Sequence, residues 1–313
     1  MRLMTFLALP DTTARIGVRV GERVLDLAAA ARHDGQALPQ TMKLLLAGGA
    51  ATMSQVRELL SAAQANSTHY AAAWTKTAAI TWLPPIPDAG KFLCVGKNYR
   101  SHLAELQRTD LIREIPQEPT GFIKLNECLA GHEAEVVIPA GVVRLDYEPE
   151  LVFVIGERAL GVKKAEAWKH VAGVTILNDL TCRDLQQREV ASGSRFWTAK
   201  NIPGFGPLGP EIITIDEIAD PYDLWMTCAV NGEQRMRVNT VDQIWKLPDI
   251  IEHFSRFIPI EAGDMFSTGA PGGVAVGKPN AADFFLKPGD VVECSIEGVA
   301  TLRTRIIAPR PTA

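Results

Sequence analysis

No apolar run in this sequence approaches the roughly 18 residues that a membrane-spanning helix needs, so no membrane partner is expected. The first ten residues, Met1 to Pro10, are too short and too soon broken for a secretory leader, and a cytoplasmic location is the expectation. A surplus of positive charge is missing too. Lys and Arg number 32 against 36 Asp and Glu, a net charge of −4. The basic residues form no stripe, which removes the electrostatic footprint of a nucleic-acid binder. Cysteine is sparse: Cys94, Cys128, Cys182, Cys228 and Cys294 are widely spaced, odd in number, and contain no CxxC pair. That pattern reads as reduced thiols. Several familiar signatures fail on spacing. Gly272 to Gly277 is no G-x-G-x-x-G opening a helix. Ser192-Gly193-Ser194 is no nucleophile elbow, and His132-Glu133 lacks the second histidine of a zincin. There is no internal repeat and no low-complexity tract.

What is present is an ordinary globular composition over 313 residues, enough for one large domain or a large and a small one. Residues 4–27 read as short strands, with Gly21-Glu22 as a hairpin turn. Residues 40–66 carry a helical apolar pattern broken at Gly48-Gly49, and 67–82 are ambiguous. Pro84, Pro85 and Pro87 then make an extended linker, because proline fixes φ and removes a donor. The boundary is placed there, giving a small N-terminal domain over 1–83 and a main domain over 84–313. The main domain is strand-rich, with candidates at 92–95, 120–124, 135–138, 150–155, 173–177, 210–214, 224–230, 290–296 and 300–307. Asn231-Gly232 marks a two-residue hairpin. Helical patterns are fewer, at 164–170, 182–191 and 248–257. This is a β-rich α+β pattern rather than an alternating β-α-β one.

Four constellations could carry chemistry. In the run from Asp146 to Glu150, the acids at 146, 148 and 150 share strand parity. Asp179 ends a second apolar run. If the two strands meet, Glu148, Glu150 and Asp179 share a pocket. Two carboxylates about 4 Å apart repel by about 4 kcal/mol at an effective dielectric near 20, so such a trio calls for a cation. Oxygen donors select a hard one, Mg²⁺, Mn²⁺ or Ca²⁺. The alternative is a solvated strand edge. Second, His102 and Glu105 are three apart and share a helical face. A carboxylate on one imidazole nitrogen orients the ring and raises its basicity; the alternative is a surface pair. Third, Arg183 and Gln186, with Lys200 further on, could grip a carboxylate or polarise a carbonyl, or could be ordinary polar positions after a helix start. Fourth, the glycines around Thr268-Gly269-Ala270-Pro271 free backbone N–H groups for an anion, or simply make a tight turn.

Taken in order, these blocks resemble the fumarylacetoacetate hydrolase family over about residues 84–307. The matching blocks are G-x-N-Y-x-x-H-x-x-E (Gly96 to Glu105), F-x-K (Phe122 to Lys124), D-Y-E-x-E-L (Asp146 to Leu151) and N-D-x-x-x-R-D-x-Q (Asn178 to Gln186). V-I-G (Val154 to Gly156), a lysine followed by P-x-G-P (Lys200, then Pro207 to Pro210) and T-G-x-P-x-G-V (Thr268 to Val274) complete the set. The resemblance implies a mixed β-roll or distorted β-barrel catalytic domain behind a small N-terminal α/β domain. It implies a divalent metal, Mg²⁺ foremost, on Glu148, Glu150 and Asp179. A His102–Glu105 dyad on a mobile lid over 100–119 would activate water. Lys200 would join that catalytic set, while Arg183, Gln186, Lys124, Gly269 and Ala270 would face the substrate. Asp146 is left outside the trio.

The implied activity is metal-dependent hydrolysis of a C–C bond in an acylpyruvate-like 2,4-dioxo acid by a homodimer. Decarboxylation of a 2-oxo acid, or isomerisation or hydration of a 2-hydroxydienoate in aromatic catabolism, is the alternative. A degenerate, non-enzymatic member is the remaining reading, set against the fact that every candidate catalytic position is filled. Three departures flank the expected pocket. Ala270 replaces the usual threonine, Asn201 to Phe205 replaces S-F-D-x-F, and the loop after Val274 is longer than usual.

Overall fold

The structure is a computed structural model that describes residues 1–108, 116–193 and 197–309. The alternating opening stretch forms three antiparallel strands, β1 (Arg2–Ala8), β2 (Arg15–Val20) and β3 (Arg23–Asp26). Helix α1 (Leu27–His33) begins where the Asp26 carboxylate accepts the Ala29 N–H. α2 (Met42–Ala47) begins where the Thr41 hydroxyl accepts the Leu44 N–H. α3 (Gly49–Ala65) follows at once, so the break read at Gly48-Gly49 is the junction of two helices. The ambiguous stretch holds two three-residue strands, β4 (Trp74–Lys76) and β5 (Ile80–Trp82).

Beyond the prolines come β6 (Phe92–Gly96), α4 (Arg100–Arg108), β7 (Thr120–Ile123), β8 (Leu129–Ala130) and β9 (Glu135–Val137). Next are β10 (Leu145–Asp146), β11 (Pro149–Ile155), β12 (Val171–Asn178), β13 (Thr181–Cys182), α5 (Arg183–Ala191) and β14 (Gly206–Thr214). Last come β15 (Trp225–Val230), β16 (Glu233–Asn239), α6 (Leu247–Ser255), β17 (Met265–Ser267), α7 (Ala281–Phe284), β18 (Val291–Ile296) and β19 (Ala300–Ile307). The stretch 164–170 is 3₁₀ rather than α. β17 has no counterpart in the sequence reading, because three residues show no period.

The strands form one large sheet, β4-β3-β2-β1-β14-β12-β11-β17-β6-β7, and a second of order β16-β15-β18-β19-β9. Parallel pairs β17·β6, β8·β14 and β9·β19 make the whole mixed. Neither sheet closes into a barrel among the described strands. β1 joins the N-terminal strands to the main sheet by pairing with β14.

The run Leu151 to Ile155 is apolar without alternation because both faces of β11 are covered. Leu151, Phe153 and Ile155 pack with Met226, Cys228, Val292 and Leu302 of the second sheet. Val152 and Val154 pack with Leu45, Val56 and Leu59 of the N-terminal helices. All five cysteines are free and buried. No helix among the described residues is long and apolar enough to cross a membrane.

Candidate active site

The site grows from the β11–β12 pairing. Pro149 lies opposite Asn178, and the Asp179 N–H donates to the Glu148 carbonyl at 2.8 Å. The Asn178 side chain accepts the Glu148 N–H at 3.0 Å. This register carries Asp179 to Glu150 of β11 and to Glu148 just before that strand. The carboxylates of Glu148, Glu150 and Asp179 each offer an oxygen within 4.8 Å of the others, and all three residues are buried. Asp146 shares their parity but not their pocket. It belongs to the short β10–β13 ladder, which turns it away from the trio.

Three cations surround the trio. Lys200 Nζ bridges Glu148 and Asp179. Lys124 Nζ donates to Asp179 Oδ1 at 2.7 Å and to the Lys200 carbonyl at 2.6 Å. Arg183 spans Asp146 at 2.9 Å and Glu148 at 2.5 Å, and its remaining arm reaches Gln186 Oε1 at 2.8 Å. Burial works against the charge on Glu148, yet Arg183, Lys200 and His102 outweigh it and hold the carboxyl well below its usual range. Burial and the charges of Asp179 and Glu148 push the Glu150 carboxyl well above that range. Burial opposes the Lys200 charge, but Asp179, Glu148 and Glu150 raise its pKa above the usual lysine value. Glu150 keeps hydrogen bonds from the Ser267 hydroxyl and, at 3.2 Å, the Gly269 N–H. Three converging buried carboxylates with no soft donor among them fit a hard divalent cation.

The His–Glu pair stands on α4. His102 is buried, with Nδ1 3.4 Å from Glu105 Oε2, while Glu105 Oε1 accepts the Gly273 N–H at 2.7 Å. At 3.4 Å this contact is longer than an ordinary hydrogen bond. The start of α4 is docked: Asp242 accepts from the Ser101 N–H and hydroxyl, and Ser101 accepts the Gly272 N–H at 3.0 Å. Residues 109–115, the middle of the expected lid, lie outside the described residues.

The sequence pattern concealed several contributors. Asp146, left outside the trio, is fully buried and accepts the Ala275 and Val276 N–H groups besides Arg183. It therefore locks Arg183 to the loop after Val274. Asn98 ties the turn after β6 to Thr268 and Trp245. Ser267 opens the glycine-bearing turn read from the sequence, and as the last residue of β17 its hydroxyl bonds Glu150. Lys124 meets Asp179 directly, and Gly269 and the buried Ala270 form the turn beside Glu150. Gly269 has φ +91°, and a Cβ there would stand 2.7 Å from the Val95 carbonyl oxygen, so glycine is required.

Comparison with known proteins shows the family and the fold. The family profile described as fumarylacetoacetate (FAA) hydrolase C-terminal matches residues 91–307. A human mitochondrial oxaloacetate tautomerase is 35% identical over 270 residues, 86% of this chain and 81% of that protein. The fumarylacetoacetate hydrolase of Exiguobacterium antarcticum superposes with a TM-score of 0.78 at 29% identity, covering 99% of this chain and 100% of that one. The maleylpyruvate hydrolase of Sphingobium sp. SYK-6, solved with manganese(II) and pyruvate, gives 0.75 at 25% identity with the same coverage. Residues 91–307, which hold the trio, its cations and the His–Glu pair, carry the family match, and the chain belongs to the fumarylacetoacetate hydrolase family.

Proposed function

We propose that this protein is a metal-dependent enzyme of 2-oxo dicarboxylic acids that interconverts their keto and enol forms, with oxaloacetate as the named candidate. The observation that carries the reading is the His102–Glu105 dyad beside a cation-rich carboxylate trio. Likeness to an oxaloacetate tautomerase supports it. Glu148, Glu150 and Asp179 would hold the ion, with Mg²⁺ as the first choice and Mn²⁺ or Ca²⁺ as alternatives. When bound, the ion supplies Lewis acidity that stabilises an enolate.

The chain's own residues do the rest. Arg183 and Gln186 hold the carboxylate next to the keto group, and Lys200 and Lys124, which bond the trio, would balance the charge that collects on the C2 oxygen. With Nδ1 facing Glu105, His102 takes the C3 proton on Nε2. Return of that proton to oxygen gives the enol, and its return to carbon gives the ketone. A positioned base of this kind contributes about 10²–10⁴-fold. Decay of the oxaloacetate enol absorbance with Mg²⁺ is the test. Acceleration that a chelator abolishes and His102→Ala lowers by about 10²–10⁴-fold is expected. No acceleration, or full activity in His102→Ala, would refute the reading.

The hydrolytic reaction expected from sequence is the second reading, favoured by the likeness to a maleylpyruvate hydrolase. There His102 takes a proton from water, the oxygen adds to the distal carbonyl of a 2,4-dioxo acid, and the C–C bond breaks to release pyruvate as its enolate. Pyruvate release from acylpyruvates marks that route, and CO₂ from oxaloacetate marks a decarboxylase. A homodimer belongs to the same proposal and is tested by light scattering at twice the chain mass.

A further inference from the structure

We propose a second metal site, far in chemistry from the carboxylate trio, formed by His33, Asp34 and His69 and suited to Zn²⁺. His33 is the last residue of α1, Asp34 caps that helix, and His69 lies in the turn after α3. The three side chains each offer a ligand atom, and these atoms lie within 4.8 Å of one another. Asp34 Oδ1 is 4.0 Å from His33 Nδ1 and 3.7 Å from His69 Nε2. The two imidazoles already meet edge to face, with ring centroids 4.0 Å apart.

The cluster is oriented from behind. The Tyr70 hydroxyl donates to Asp34 Oδ2 at 2.6 Å, which leaves Oδ1 for the imidazoles. Tyr70 itself is 4% exposed, so its position is held by packing. The Asp34 backbone is held by the helix end, where the Asp34 and Gln36 N–H groups bond the Ala31 carbonyl and Gly35 turns at φ +66°. The His69 N–H bonds the Asn66 side chain at 3.2 Å. No lysine or arginine pairs with Asp34 among the described ion pairs.

Two imidazoles and one carboxylate with an open side make a catalytic-type or clip-type zinc ligand set, and imidazole disfavours Mg²⁺. Tetrahedral bonds of about 2.0–2.1 Å put ligand atoms about 3.3 Å apart. The three atoms must therefore draw in by up to about 1.5 Å. A bound ion would tie the end of α1 to the turn after α3, across a surface where no covalent link exists.

The test is calorimetric titration of the full chain with Zn²⁺, in Mg²⁺ sufficient to saturate the trio. One 1:1 event is expected that disappears in the His33→Ala/His69→Ala double variant. Tyr70→Phe, which removes only the oriented hydroxyl, should weaken it about 10–100-fold. Cu²⁺ bound to the wild type should show nitrogen hyperfine coupling from imidazole, which an all-oxygen site cannot give, and the double variant should lose it. Turnover with Mg²⁺ should be the same in all these proteins. An isotherm unchanged in the double variant, or a copper signal that keeps its nitrogen coupling there, would overturn the proposal, as would absence of any Zn²⁺ event in the wild type. A Zn²⁺ event that survives the double variant but is lost in Glu150→Gln belongs to the trio and counts against the second site.

Discussion

Replacing Lys200 by methionine tests whether its ammonium is the internal counter-ion of the carboxylate trio. Lys200 is 4% exposed, and its Nζ bridges Glu148 and Asp179. Three buried bases (Lys124, Arg183, Lys200) face Asp146, Glu148 and Asp179, with Glu150 driven toward its neutral form, so the variant leaves two bases against those three acids. Removing one partner of a buried ion pair costs about 3–5 kcal/mol, because the other charge stays buried and uncompensated. Methionine preserves much of the apolar volume, including the packing over the Phe122 ring, where Nζ stands 5.3 Å from the centroid. At about 2 °C per kcal/mol for a chain of this size, chelator-treated Lys200→Met should melt roughly 6–10 °C below wild type. With saturating Mg²⁺ most of that difference should vanish, since a divalent ion supplies the missing charge. By linkage the variant should then bind Mg²⁺ more tightly, on the order of 10²–10³-fold. The assay is thermal unfolding with and without chelator, paired with calorimetric Mg²⁺ titration. An equal melting loss in both conditions, or weaker Mg²⁺ binding in the variant, would refute the counter-ion argument.

Three more outcomes are expected. Burial pushes the His132 pKa below its ordinary value near 6.5, and its Nδ1 accepts the Arg303 N–H at 3.1 Å. Its contribution to stability is full above about 6.5 and declines as pH falls through the folded value, because the unfolded chain takes a proton that the folded one refuses. Urea unfolding between pH 7.5 and 5.5 should therefore be flatter in His132→Gln, by at most about 1.4 kcal/mol per pH unit; an identical slope would contradict the assignment. Gly269→Ala forces a side chain into the left-handed region against the Val95 carbonyl. It should cost at least about 1–2 kcal/mol in chemical denaturation and weaken metal binding measured by calorimetry, because the Gly269 N–H on Glu150 shifts; unchanged binding would separate the turn from the trio. Ala270→Thr restores the family's usual hydroxyl in a buried turn. It should lower KM for a 2-oxo acid more than it changes kcat, with overpacking held to about 1–3 kcal/mol; a change in kcat alone would place Ala270 away from substrate binding.

Much of the site was legible because its chemistry follows strand parity and helical spacing. Glu150 stands on β11 with Glu148 just ahead of its first residue, two positions away, while His102 and Glu105 are three apart on one helix and Arg183 and Gln186 three apart on another. The structure joins each of these pairs. Asp146 shows the limit of that reasoning. Its parity matches the glutamates, but parity holds only along one continuous strand, and the chain leaves β10 for β11 at Tyr147 and Glu148.

By itself the sequence determined the strand-rich class, the shared parity of Glu148 and Glu150, and the helical spacing of His102 with Glu105 and of Arg183 with Gln186; resemblance to the family marked them as a candidate site. Those are properties of residue type and of periods two and 3.6. Only the tertiary structure decided what surrounds them: Lys200 and Lys124 on the trio, Asp146 behind Arg183, Gly273 on Glu105, and Ser267 on Glu150. It also brought together His33 and His69, which lie in segments with no shared pattern. These contacts join residues tens to more than a hundred positions apart, set by strand register and by which faces of β11 are covered, and no local period carries that information.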